Sequence, residues 1–118
     1  MQEATSGFSE NEVGEATSVI TCDTTGTVTT FSHGAHRLFG YAPDEAVGKM
    51  SVAAFHPPEN VATIVPVLLQ TATEKGLWEE EVTLVKKGGE RFRARLAVRP
   101  KYRDGKLVGY MGITRPLK

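Results

Sequence analysis

The sequence predicts an α+β fold in which a single antiparallel sheet carries its helices on one face. Three observations lead to this prediction: segments with strand character cluster at both ends of the chain, helical periodicity is confined to the middle, and turn-forming residues join neighbouring strands. Strands and helices segregated along a chain in this way are typical of one sheet covered on one side. The 118 residues, with 14 basic and 14 acidic side chains, provide material for one domain.

The two ends of the chain differ in composition from its interior. Residues 1–17 are rich in Ser, Thr, Glu and Gly and hold few large apolar side chains, so we expect a flexible N-terminal leader there. The folded domain is expected to cover residues 18–115, and residues 116–118 form its C-terminal boundary.

The domain begins with two strands and three short helical pieces. Residues 18–23 and 28–31 are rich in β-branched side chains and are separated by Thr24-Thr25-Gly26, which predicts a β-hairpin. Residues 34–39 carry apolar side chains at helical spacing, ahead of a glycine suited to ending a helix. Residues 43–48 form a second helical turn, and a third short piece lies around residues 51–55.

The longest helical pattern runs from about residue 58 to residue 75. Its apolar side chains recur every three or four positions, at Val61, Ile64, Val65, Leu68, Leu69 and Ala72. Pro66 lies inside this pattern and lacks the N–H that a helix interior needs. We therefore expect a kink at Pro66 or a division into two helices.

The last third of the chain has the period of strands. Residues 78–85, 91–98 and 107–114 are each predicted to form a strand, with turns at Gly88-Gly89 and Asp104-Gly105. With the first hairpin, this makes five strands around the central helices.

A long helix packed over a sheet leaves a cleft of the kind that binds small molecules. Alternation along residues 91–98 directs the apolar side chains inward and the arginines Arg91, Arg93 and Arg95 to solvent. The predicted lining combines one helix face with inward side chains of the last strands: Val61, Ile64, Val65, Leu68, Val82, Leu84, Leu96, Val98, Tyr110 and Gly112. The alternative is that these side chains only fill the core.

The opposite face of the last strand is also apolar. Leu107, Met111 and Ile113 alternate with Tyr110 and Gly112, and we expect these three to point away from the helices. An exposed apolar row is typical of an interface, so it predicts a homodimer or partner contact. Cover by the leader is the alternative.

Composition and charge argue against several classes of function. A balanced charge and a pI near 6.8 create no field that attracts nucleic acid or an anionic membrane. No apolar run approaches the length of a membrane span, and no signal peptide is evident. One cysteine, Cys22, provides neither a disulfide framework nor a multi-cysteine metal site. These features predict a soluble, cytoplasmic protein without a bound metal.

Several motifs occur together in one order. They are Asp23-Thr24-Thr25-Gly26, Phe31-Ser32 before His36-Arg37-Leu38-Phe39-Gly40-Tyr41, Asp44-Glu45-Ala46-Val47-Gly48-Lys49, Phe55-His56-Pro57, Gly76-Leu77-Trp78-Glu79-Glu80-Glu81-Val82, Lys86-Lys87-Gly88-Gly89 and Val108-Gly109-Tyr110-Met111-Gly112-Ile113. The ordered set resembles the PAS sensor family over about residues 18–115. The resemblance implies a five-stranded antiparallel sheet, a ligand or cofactor cavity beneath its helices, and sensing without catalysis.

The chain departs from the family pattern at two places. Ser32 stands where the family usually has Asn, and a serine can still cap a helix. Arg115-Pro116-Leu117-Lys118 stands where the family continues through an Asp-Ile-Thr type junction to an output helix. We expect either a fragment ending at a domain boundary or a sensor that acts alone or as a dimer.

Cofactors of the family are disfavoured by the residues present. Haem requires an axial ligand on the helix facing the cavity, and residues 58–75 contain no histidine. His56 precedes that helix in a turn that has a structural role in the family. A photoactive flavin domain has its cysteine in an Asn-Cys-Arg type motif on the helical side, whereas Cys22 ends the first strand and is interpreted as a core residue. The cofactor, if any, stays unknown.

No combination of nucleophile, base and orienting group is visible, so we predict that the domain is not an enzyme. We predict a sensor for a small apolar molecule, fatty-acid-like or an aromatic carboxylate, with Tyr110 or a backbone amide at its polar end. Binding is expected to be relayed through altered contacts with a homodimer partner or an output domain. One alternative is a ligand-free PAS dimerisation or interaction module. A redox or gas sensor with haem or non-covalently bound flavin is a further alternative, which the missing ligand residues disfavour.

Overall fold

The computed structural model describes residues 17–117, so most of the predicted leader lies outside the described residues. The strands are β1 (Ser18–Asp23), β2 (Val28–Phe31), β3 (Trp78–Val85), β4 (Arg91–Arg103) and β5 (Lys106–Pro116). The helices are α1 (His33–Phe39), α2 (Pro43–Ala46), α3 (Pro58–Val61) and α4 (Val65–Lys75), with a 3-10 helix at Val52–Phe55. The predicted α+β fold is confirmed.

The five strands form one sheet in the order β2-β1-β5-β4-β3, and every neighbouring pair is antiparallel. The chain crosses from β2 at one edge to β3 at the other through the helices, and α1 contacts β1 whereas α4 contacts β3 and β4. Along β4, Ala94, Leu96 and Val98 are buried and the alternating arginines are exposed, as predicted. The core therefore lies between the helices and one face of the sheet.

Ser32 fixes the start of α1, as the sequence predicted. Its hydroxyl accepts a hydrogen bond from the Ala35 N–H at 3.1 Å, which caps the helix. The same oxygen accepts from the Val19 N–H at 2.9 Å, so the cap also joins α1 to β1. Gly40 ends α1 with φ of 88°, a value that glycine adopts without strain.

The long helical pattern is divided into two helices. Helix α3 ends at Val61, and Pro66 occupies the first turn of α4, where its missing N–H leaves no helical hydrogen bond unmade. The Leu68 N–H donates to the Ile64 carbonyl, so regular bonding resumes directly after the proline. Of the two outcomes expected from Pro66, the structure shows the division into two helices.

Strand β5 contains an irregularity that the sequence analysis did not foresee. Lys101 pairs with Gly109, and Tyr102 pairs with Leu107, so one residue of β5 is skipped between them. Such a bulge reverses the side chains on its far side. Leu107 therefore packs against the core, and its expected position beside Met111 and Ile113 is wrong.

Candidate ligand-binding cavity

A cavity of about 60 Å³ lies between α4, the 3-10 region and the inner face of the sheet. Its walls are mostly apolar and come from every layer of the fold. The lining consists of Ile20, Cys22, Phe39, Val52, Phe55, His56, Val65, Leu68, Leu69, Leu84, Leu96, Val98, Tyr110, Gly112 and Thr114. Such a concave, mostly apolar space is typical of a site that holds a small apolar molecule.

Most of the residues predicted from the sequence as the lining are brought together here. They are Val65, Leu68, Leu84, Leu96, Val98, Tyr110 and Gly112. Ile64 and Val82 instead border a separate, more open groove of about 290 Å³ beside Trp78, and Val61 lines neither space. The predicted cavity position of Val61, Ile64 and Val82 is therefore wrong. The break between α3 and α4 ends the continuous helical face on which Val61 and Ile64 were placed.

The residues that sequence analysis missed come mainly from β1 and from the segment before α3. Ile20 pairs with Gly112 and Cys22 pairs with Tyr110, so the β1 side chains reach the cavity because β1 lies next to β5. Local periodicity carries no information about that pairing. Cys22 is buried, and burial raises the pKa of its thiol.

Two glycines in β5 serve different purposes. A Cβ at Gly109 would lie 1.9 Å from the Cys22 carbonyl oxygen, so only glycine permits the close approach of β5 to β1 there. At Gly112 a Cβ would lie 3.7 Å from Leu96 Cδ1, an ordinary contact. The cavity wall at Gly112 therefore has room for a methyl group.

Tyr110 joins the sheet to α4 through its hydroxyl. The Thr73 hydroxyl donates to the Leu69 carbonyl at 2.9 Å, so it accepts the 3.0 Å hydrogen bond from the Tyr110 hydroxyl. The hydroxyl proton of Tyr110 is therefore engaged with Thr73 and is not available to a ligand. Tyr110 can offer a cavity ligand only its remaining lone pairs, which limits its predicted role at the polar end of a ligand.

His56 is the most unusual polar group of the lining. Its side chain is 8% exposed, and within residues 17–117 its buried Nδ1 has no hydrogen-bond partner. Burial lowers the pKa of His56 to about 4, so the ring is neutral at pH 7. Among the described residues, no Lys, Arg, Asp or Glu lines the cavity. The cavity thus combines apolar walls with one neutral, unsatisfied imidazole.

The outer face of the sheet has a different character. Arg95 Nε donates to Glu79 at 2.9 Å, and both side chains are a little less than half exposed. Ile113 lies between Val19 and Ala97 on this face, and all three are half-buried. A small apolar strip therefore crosses an otherwise charged surface.

Two kinds of feature are missing from the described residues, 17–117. In the part of the chain that the structure describes, no group of three or more His, Cys, Asp or Glu side chains could hold a metal ion. None of the described helices is long and apolar enough to cross a membrane.

Comparison with solved structures identifies the same architecture elsewhere. The PAS domain of a protein from Colwellia psychrerythraea superposes with a TM-score of 0.83 at 22% identity, covering 90% of this chain and 92% of that one. The PAS domain of a LuxR-family transcriptional regulator from Burkholderia thailandensis, solved in complex with ethanol, gives a TM-score of 0.73 at 13% identity, covering 93% and 98%.

Comparison of sequences gives the family. Two-component system protein A of Emericella nidulans is 30% identical over 95 residues, which is 80% of this chain and 14% of that protein. The chain thus matches only a small part of this relative. The family model of the PAS fold matches residues 12–117. Because that match spans most of the chain and agrees with the sheet order and helical layer, the chain belongs to the PAS family.

Proposed function

We propose that this PAS domain is a sensor module of a signalling protein and that it binds a small apolar molecule in the cavity beneath α4. The observation that carries the proposal is the cavity itself, a largely apolar space between α4 and the sheet. Protein interiors are close-packed, so a space of this kind in the centre of a small domain is notable. The similarity to part of a two-component system protein supports a role in signalling.

The volume of the cavity limits its ligand. A cavity of about 60 Å³ holds several water-sized spheres and is smaller than the ~150 Å³ engineered cavity known to accept benzene. A molecule with few non-hydrogen atoms fits it, and ethanol, present in the Burkholderia complex, is of that size. A fatty-acid-like or aromatic carboxylate ligand, as the sequence predicted, requires α4 to move outward and leaves its charge without a cation in the lining.

Occupation of the cavity is relayed through α4. The helix contacts β3 and β4, and its Thr73 hydroxyl is bonded to Tyr110 of β5. A ligand that binds better when α4 is displaced shifts the population toward that arrangement. Displacement of α4 against the sheet then changes the contacts made with an output domain or a second copy.

The proposal is tested by filling the cavity. In Leu68→Trp a larger side chain occupies the centre of the space, and in Gly112→Ala a single methyl group is added to its wall. Uptake of xenon or of short alkyl compounds, followed by methyl NMR of the cavity residues, should be abolished by the first change and weakened by the second. Val67→Trp, at an exposed position on the same helix, is the control. Unchanged uptake by Leu68→Trp would exclude the cavity as the binding site.

A second candidate function is supported by the apolar strip on the outer face. Ile113 with its neighbours Val19 and Ala97, and Met111 on the same face, offer a contact for a second copy or an output domain. In that case the domain is an interaction module that needs no ligand. Met111→Glu should then halve the solution mass measured by light scattering, and an unchanged mass would count against this function.

A further inference from the structure

We propose that His56 is the polar anchor of the cavity and selects a small neutral molecule with a hydroxyl group, such as a short alcohol. A carboxylate of the same size and an alkyl compound without the hydroxyl are both expected to bind less tightly. This inference rests on the proposed function, because it names the class of ligand for the same cavity.

His56 has a ring nitrogen without a hydrogen-bond partner among the described residues. Nδ1 is buried without a hydrogen-bond partner in the described part of the chain, and the ring belongs to the cavity lining. Buried polar side-chain atoms in folded proteins nearly always have a partner, since an unpaired one is destabilising. Nδ1 is almost inaccessible as the ring stands, so a small turn of the ring toward the cavity brings it to the polar end of a ligand, which supplies the missing hydrogen bond.

His56 also lies where the backbone is held on both sides, between the 3-10 helix and α3. The His56 backbone N–H donates to the Ala53 carbonyl at 3.1 Å, which closes the 3-10 helix. The next residue, Pro57, is fully buried and directly precedes α3. The backbone is therefore held in place before and after the side chain of His56, which forms part of the cavity wall.

The charge balance of the cavity selects against an ionised ligand. Burial lowers the pKa of His56 to about 4, so at pH 7 the imidazole offers one donor and one acceptor but no positive charge. The other polar groups of the lining are the Tyr110 and Thr114 hydroxyls and the Cys22 thiol, and burial raises the pKa of that thiol. A carboxylate would be buried there without a counter-charge, which is strongly unfavourable.

A hydroxyl group suits either tautomer of the ring. It donates to Nδ1 when that nitrogen carries a lone pair, and it accepts when Nδ1 carries the proton. A carbonyl or ether oxygen can only accept. The alkyl part of an alcohol then lies against the apolar side chains of Leu68, Leu96 and Val98, and the volume of about 60 Å³ keeps that part short.

The experiment compares three probes of similar size on the full chain at pH 7: 1-propanol, 1-chloropropane and propionate. Affinities are measured from methyl NMR shifts of Leu68, Leu96 and Val98, and the ring nitrogens of His56 are observed by ¹⁵N NMR. We expect 1-propanol to bind roughly fivefold more tightly than 1-chloropropane, as one hydrogen bond allows, and to shift the ring signal. Propionate should bind at least as weakly as 1-chloropropane.

Two variants of similar shape isolate the hydrogen bond. His56→Asn places a polar atom the same number of bonds from the backbone as Nδ1, and His56→Leu places a methyl group there. The Asn variant should retain the preference for 1-propanol, whereas the Leu variant should lose it and still bind 1-chloropropane. If the Leu variant fails to fold, the wild-type affinities for the three probes and the shift of the ring signal still decide whether His56 binds the hydroxyl group.

The outcomes separate this inference from the proposed function. Equal binding of 1-propanol and 1-chloropropane, or tight binding of propionate, would overturn the role of His56 while leaving a ligand cavity. Retention of the alcohol preference in His56→Leu would do the same. If xenon and all three probes leave the cavity methyl groups unchanged, the proposed function fails and the inference fails with it.

Discussion

The two halves of the helical layer hold the cavity in different ways. In the first half, α1, α2 and the 3-10 helix are bonded closely to the rest of the fold. Phe39 is 1% exposed, its ring lies 4.8 Å from that of Phe55, and its carbonyl accepts from the Lys87 N–H. The backbone of Val28 makes two hydrogen bonds to the segment after α2: its N–H donates to the Met50 carbonyl, and its carbonyl accepts from the Gly48 N–H. This half forms a fixed wall.

The second half, α3 and α4, is held mainly by the packing of a few side chains. Only Leu68 and Ala72 of α4 are buried, Val67 is 55% exposed, and Ile64 at the start of α4 makes no side-chain cap. Nothing buried lies on α3. The comparison indicates that one wall of the cavity is rigid and the other can adjust, so a response to a ligand is expected in α4.

The largest expected difference between the halves is in stability. Phe39→Ala removes a fully buried ring and should lower the free energy of unfolding by about 3–5 kcal/mol. Val67→Ala, in the adjustable half, should change it by less than about 0.5 kcal/mol, because this side chain is exposed and alanine favours the helix. Urea denaturation measures both values. Similar losses for the two variants would remove the distinction between a fixed and an adjustable wall.

The sequence predicts the elements of this fold better than their lateral arrangement. The bounds predicted for β1, β2 and β3 match the structure, because period-two patterns and the turn residues beside them are local signals. The neighbouring position of β1 and β5, which brings Ile20 and Cys22 to the cavity, arises from contacts far apart in the chain. Pattern alone also could not locate the bulge that turns Leu107 inward or show that Nδ1 of His56 is left without a partner.

A second prediction concerns the pH dependence of stability at the junction of the two halves. The pKa of His56 is about 4 in the folded chain and 6.5 as its ordinary value. Between these values the unfolded chain binds a proton that the folded chain does not, so stability falls as the pH falls. Through this one group, the free energy of unfolding is about 3 kcal/mol higher above pH 6.5 than at pH 4. The difference is lost progressively as the pH falls between these two values.

His56→Asn, which cannot titrate, is the control for this prediction. Its free energy of unfolding should change much less than that of the wild type between pH 7 and pH 4.5, measured by urea denaturation at each pH. His33 and His36 are present in both proteins, so their contributions cancel in the comparison. If the two proteins lose stability in parallel over this range, His56 is not the group responsible.

A third prediction concerns the bond between the adjustable wall and the sheet. Tyr110→Phe removes the hydroxyl that donates to Thr73 and should cost about 1 kcal/mol, since the Thr73 hydroxyl keeps its bond to the Leu69 carbonyl. Amide hydrogen exchange should increase in α4 and stay unchanged in α1. Thr73→Val should have a similar effect, and the double variant should be no worse than either single one. Additive losses would show that the two hydroxyls do not act as a pair.

The smallest effects are expected from two exposed ion pairs, one on each half. Lys87 Nζ lies 2.7 Å from Glu45 of α2, and Arg91 contacts Glu59 of α3 through both of its terminal nitrogens. Each pair holds the pKa of its glutamate below the ordinary value, but all four side chains are about half exposed, so salt screens them. Neither Lys87→Met nor Arg91→Met should change the melting temperature measurably.

The two variants should still differ in local motion. In the α2 segment, Ala46 is completely buried and the Ala42 N–H donates to Glu45 at 2.7 Å. Loss of the Lys87 charge therefore leaves α2 in place. Helix α3 has no buried residue, so loss of the arginine removes a larger share of what holds it. Hydrogen exchange in α3 should therefore increase in Arg91→Met, while exchange in α2 stays unchanged in Lys87→Met. Equal responses would mean that packing of α4 alone, without help from the ion pair, positions the adjustable wall.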